Sequence, residues 1–90
     1  MTERNVKIQS TVGLHARPAA LFVQTAAKAP IEVSVAKSGG RPVNAKSILA
    51  VLGLDARHGD EVVLSAEGEG ADAVLDELEA ILTAPEPAGA

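Results

Sequence analysis

His15 stands in the run Gly13-Leu14-His15-Ala16-Arg17-Pro18, and these residue types in this order suit the holding of an anion. Histidine is a nucleophile near neutral pH, because one ring nitrogen keeps a free lone pair. Pro18 fits only the first turn of a helix, where its missing N–H costs nothing. A helix therefore starts directly after His15. Free backbone N–H groups at that start, from Ala16 and Arg17 onward, would point toward the imidazole, and the helix dipole favours negative charge there. Arg17 adds a permanent cation with donors that can bridge phosphate oxygens. Leu14 could anchor the loop and leave His15 exposed. From physics alone this says only that an anion would be welcome, since a lone histidine ahead of a helix is more often a passive surface residue or a cap.

The elements around this run follow from hydrophobic periodicity. Arg4 to Gln9 alternates, with Val6 and Ile8 on one face, as a half-buried strand does. Ala16 to Lys28 is helical, with Ala19, Phe22, Val23, Ala26 and Ala27 in one stripe, and Ala29-Pro30 ends it. Ile31 to Lys37 alternates again, with Ile31, Val33 and Val35 facing inward. Ser38-Gly39-Gly40-Arg41 is a hairpin turn, and Pro42-Val43-Asn44 is a short, irregular returning strand. Ser47 is placed as the N-cap of a short helix carrying Ile48, Leu49, Val51 and Leu52, with Gly53 as its stop. Gly59 to Ala66 is a fourth strand with Val62, Leu64 and Ala66 on one face. Ala71 to Leu82 is a last helix with Val74, Leu75, Leu78, Ile81 and Leu82 in its stripe, and Asp72 near its start complements the dipole.

The order βαββαβα predicts an α+β fold, an open-faced sandwich in which one four-stranded antiparallel sheet is covered on one face by three helices. Ninety residues hold one domain, assigned to residues 1–83, and the Pro- and Ala-rich stretch 84–90 reads as a disordered tail. A domain of this size has little room for a deep pocket, so a surface site is expected.

Charge and composition narrow the function. Residues 1–54 carry seven basic and two acidic side chains, whereas residues 55–90 carry one basic and ten acidic, and the chain totals −4. A basic half gathered on one face would suit an acidic partner or a phosphate. Phe22 is the sole aromatic residue, which argues against base stacking, and the net charge argues against duplex binding. With no cysteine, disulfides and thiolate zinc sites are excluded. Met1-Thr2-Glu3-Arg4-Asn5 opens no signal peptide, and no apolar run approaches the ~20 residues of a membrane span, so a soluble cytoplasmic protein is the simplest expectation. His58, with Asp55 and Asp60 nearby, supplies too few convincing ligands for a metal, and Gly68-Glu69-Gly70 is too short and too acidic for a phosphate loop. No metal and no cofactor are expected.

The stretch Gly13-Leu14-His15-Ala16-Arg17-Pro18-Ala19-Ala20 resembles the active-site signature of HPr, the histidine-containing phosphocarrier family of the bacterial phosphoenolpyruvate:sugar phosphotransferase system. The likeness continues through Leu21-Phe22-Val23-Gln24 and into Val43-Asn44-Ala45-Lys46-Ser47-Ile48-Leu49, which is similar to the family's serine-site motif. It covers roughly residues 3–83. The resemblance implies a phosphoryl carrier, not an enzyme. His15 would be phosphorylated on Nδ1 by enzyme I and would pass the group to the A component of a sugar permease, with Arg17 assisting and the Ala16 and Arg17 backbone stabilising the phosphoryl. It further implies that a dedicated serine kinase can act on Ser47, which otherwise is an ordinary N-cap. Ile48, Leu49 and Leu52 would form an apolar docking patch with Arg17 and Lys46 as a basic rim. Some of the three are needed in the core, and at least one is exposed. A monomer is expected. Ala29 departs from the family, many of whose members carry an aromatic residue there.

Rival classes stay open on the sequence, the weakest being salt-sensitive nucleic-acid binding through the basic half. A domain of this size that hydrolyses acyl phosphates would show steady turnover, and a pure interaction module would bind as well with His15 replaced.

Overall fold

The computed structural model describes residues 2–9 and 16–83, and of residues 16–18 the backbone only. The elements are β1 (Thr2–Lys7), α1 (Ala16–Lys28), β2 (Glu32–Lys37), β3 (Val43–Asn44), α2 (Ile48–Gly53), β4 (Glu61–Glu67) and α3 (Ala71–Thr83). This is the order the periodicities predict.

The four strands make one antiparallel sheet in the order β1-β4-β2-β3. Val6 lies opposite Val62, Val35 opposite Leu64 and Val33 opposite Ala66. Directly opposed residues share a face, so these six form one apolar layer, and each is at most 3% exposed. Ala19, Phe22 and Ala26 of α1 and Leu75, Leu78 and Leu82 of α3 join the same core. α1 packs on α2 and α3, and α3 also lies along β1 and β4. The other face of the sheet carries Glu3, Ser65, Ser34 and Asn44 in one polar, at least partly solvated row across all four strands, and also the paired Val63 and Ala36, of which Ala36 is buried.

The structure differs from the periodicity at a few positions. Ala27 is exposed, because the stripe of α1 is narrower than its small residues suggest. Ile31 is half-buried and precedes β2. β4 starts at Glu61 instead of Gly59, because Gly59 has φ 89°, a left-handed conformation outside any strand. Gly59 nevertheless donates its N–H to the Ile8 carbonyl at 2.9 Å, and Ile8 donates to the Asp60 carbonyl at 2.9 Å, which extends the β1 pairing irregularly. Gly68 is required where it stands: φ is 132°, and a Cβ there would lie 2.6 Å from Ile31 Cγ2. The tail 84–90 lies outside the described residues.

Candidate phosphoryl-acceptor site and docking face

The predicted acceptor His15 lies outside the described residues. Both flanks of its segment are described. Upstream, Ile8 N–H bonds to the Asp60 carbonyl and Gln9 N–H to the Leu82 carbonyl, each at 2.9 Å. Downstream, α1 begins at Ala16, so Ala16 and Arg17 have the backbone of a first helical turn, and that turn holds no acidic residue. A first turn leaves backbone N–H groups without helix partners, and no carboxylate in it would repel an anion. The Arg17 side chain lies outside the described parts.

The second motif is well defined. Ser47 takes an extended conformation (φ −107°, ψ 116°), and its Oγ accepts the Ala50 N–H at 3.3 Å, so it is the N-cap of α2. Gly53 is the last residue of α2, but the left-handed position falls on Asp55, at φ 53°. Val51 is fully buried, whereas Ile48, Leu49 and Leu52 are 38%, 80% and 39% exposed. The expectation that some of these three are core residues is corrected: Val51 anchors α2, which frees all three. Leu21 of α1, at 52% exposed, is the fourth large apolar side chain left in water among the described residues. Sequence reasoning missed it. Its signal is its spacing, four residues after Arg17 and off the Ala19, Phe22, Val23 and Ala26 stripe, on a helix that packs against α2.

Charges are arranged by the fold. Lys46 does not simply line a rim: it is half-buried, and its Nζ donates to the Ala29 carbonyl at 2.7 Å. The acids of α3 gather around Arg4 of β1, which bonds to Asp76, lies 3.2 Å from Glu79 and reaches Asp72 at 3.8 Å. The hydrogen bond to Asp76 is the main reason that the Arg4 guanidinium is held charged beyond its ordinary range. Asp60 accepts the Arg57 N–H at 2.9 Å and lies 3.5 Å from Lys37 Nζ. The Arg57 bond first, and the Lys37 charge next, hold its carboxyl below the ordinary 3.8. Asp55 bonds to Arg57 at 3.0 Å. The two acids near His58 therefore face Arg57 and Lys37. Among the described residues no group of three or more His, Cys, Asp or Glu side chains could hold a metal ion, and no helix is long and apolar enough to cross a membrane.

Comparison with known proteins agrees with this geometry. The family model described as the PTS HPr component phosphorylation site matches residues 2–84. A phosphocarrier protein HPr from Streptomyces coelicolor is 51% identical over 78 residues, which are 87% of this chain and 84% of the relative. One from Haloferax volcanii is 47% identical over 85 residues, covering 93% and 96%. Among solved structures, HPr from Bacillus anthracis superposes with a TM-score of 0.85 at 36% identity, covering 90% of this chain and 95% of that one. The chain belongs to the HPr family, the phosphocarriers of the phosphotransferase system.

Proposed function

We propose that the phosphoryl group rides on the His15 imidazole, arriving from enzyme I, with phosphoenolpyruvate as its first source, and leaving to the A component of a sugar permease in the cytoplasm. The supporting observation is the start of α1 at Ala16, one residue after the histidine. On acceptance, the His15 Nδ1 lone pair forms a bond to phosphorus in line with the breaking bond to the donor. On delivery, the acceptor's lone pair displaces His15 in the same way. The protein's part is to position groups and balance charge. Backbone N–H groups of Ala16 and Arg17 face the three phosphoryl oxygens, and the Arg17 guanidinium neutralises charge as the group moves. The absence of acids from the first turn of α1 suits a carrier that must not activate water against its own cargo.

Docking falls to Ile48, Leu49 and Leu52 of α2, joined by Leu21 of α1. An apolar centre beside basic residues suits transient contact with acidic partners. Ser47 is the regulatory position. A phosphate added there by a serine kinase would sit at the start of α2 and place negative charge beside the docking face.

The deciding experiment is intact-mass measurement after incubation with phosphoenolpyruvate and enzyme I. One acid-labile, alkali-stable phosphoryl, lost in His15→Ala, supports the carrier. No phosphoryl with an active enzyme I control refutes it, and steady release of phosphate would point to a hydrolase.

A further inference from the structure

We propose that Lys46 is a positioning residue of the docking face: its ammonium, donating to the Ala29 carbonyl, holds α2 against the C-terminal end of α1. The inference rests on the phosphocarrier reading and concerns the same surface.

α2 has six residues, and Val51 is the one it buries fully. A helix this short is not stable alone, so what flanks it must set its orientation. Three bonds from backbone N–H groups, one of them to a side chain, fix the chain entering it. Ala45 N–H reaches the Val33 carbonyl at 2.9 Å, Lys46 N–H reaches Asn44 Oδ1 at 2.9 Å, and Ser47 N–H reaches the Asn44 carbonyl at 3.1 Å. All three tie this segment to the sheet side or to itself. Among the described residues, the hydrogen bond that joins it to α1 is Lys46 Nζ to the Ala29 carbonyl at 2.7 Å.

The acceptor is well suited. α1 ends at Lys28, and Ala29 closes the last turn with its N–H on the Ala26 carbonyl at 3.1 Å. Pro30 cannot extend the helix. The carbonyls there lack helix partners and carry the negative end of the dipole, where a cation is favourable. An ammonium directed at that carbonyl is turned into the protein, so its effect on docking runs through geometry. It holds Leu21 on α1 and Ile48, Leu49 and Leu52 on α2 in one fixed relation, as a single surface.

The test is steady-state phosphoryl transfer from enzyme I to the wild type and to Lys46→Met, at about 50 mM and about 300 mM salt. The Met variant is expected to raise KM for the carrier roughly fivefold with kcat unchanged, and by the same factor at both salts. An unchanged KM overturns the inference. So does a rise that vanishes at high salt, since Lys46 would then be a direct charge contact with the partner. Amide exchange gives a second reading: Ala50 and Val51 should exchange faster in the variant while the amides of β4 keep their protection, and uniform loosening overturns the tether. Should Lys46→Met not fold, the wild type decides. A Lys46 ammonium resonance with slowed exchange and contact to Ala29 supports the tether, and a freely exchanging one refutes it. A wild type that accepts no phosphoryl sinks the carrier reading, and the resonance and exchange measurements still decide the tether.

Discussion

Leu49 and Val51, two residues apart on α2, point opposite ways: Leu49 is 80% exposed and Val51 is fully buried. Two variants separate docking from stability. Leu49→Asp should leave stability within about 0.5 kcal/mol of the wild type while raising KM for phosphoryl transfer. Val51→Ala should lower stability by roughly 2 kcal/mol with the acceptor chemistry intact. Thermal melts and transfer kinetics on both proteins check this, and loss of stability in Leu49→Asp would contradict the assigned exposure.

Ser47 serves as a cap first. Ser47→Ala removes the oxygen that accepts the Ala50 N–H and should cost about 1 kcal/mol. Ser47→Asp keeps an accepting oxygen, so its stability should stay near that of the wild type. Its added charge should weaken transfer in a manner that salt relieves. Equal transfer by the two variants would leave charge at this position without a role.

Arg17 is assigned to the moving phosphoryl. Arg17→Ala should cut the transfer rate by at least about tenfold, with a smaller effect on partner affinity. Single-turnover transfer and a separate binding titration distinguish the two. A loss confined to binding would make Arg17 a docking residue.

Asp60 supplies a pH signature. Its folded pKa is depressed, chiefly by the Arg57 N–H, so the stability it contributes is complete above the ordinary 3.8 and is lost as pH falls through the lower folded value. Asp60→Asn should therefore be less stable than the wild type at neutral pH, and the gap should close as the pH falls below the ordinary 3.8 and through the lower folded value. Melts across that range would show it, and a gap independent of pH would assign the effect to packing.

Phe22 is the largest fully buried side chain. Phe22→Ala should cost about 3–5 kcal/mol, a large share of a small domain's stability. Circular dichroism is the suitable probe, because the chain has no Trp or Tyr.

Much of this was legible before the structure. Alternation at Val6 and Ile8, the stripe through Phe22 and Ala26, and the proline at position 18 are local signals, and each marks an element that formed. What stayed hidden depends on contacts between distant residues. Nothing in the spacing of Lys46 shows that its ammonium would turn toward Ala29, seventeen positions away. Nothing near Arg4 announces Asp76 of α3, seventy-two positions on. Ala27 and Leu21 show a subtler limit. A small or apolar residue beside a stripe does not reveal which side of the groove it will take, because that depends on the neighbouring helix. At the acceptor itself the motif placed the start of α1 correctly, while the roles of His15 and Arg17 rest on the family and the experiments above.

The pairing of β1 with β4 also joins parts of the chain that synthesis separates in time. His15 leaves the ribosome before Asp60 and Leu82, the residues to which Ile8 and Gln9, upstream of it, are bonded. Leu82 follows His15 by 67 residues, and at ordinary translation speeds the wait is roughly 3–13 s. Through that interval the nascent chain carries the acceptor motif without the Ile8 and Gln9 bonds upstream of it. A truncated chain ending before Leu82 would carry the signature and lack the bond from Gln9 N–H to the Leu82 carbonyl. The pairing that closes the sheet at β1 therefore waits for β4, more than fifty residues downstream, and the Gln9 bond waits for the end of α3.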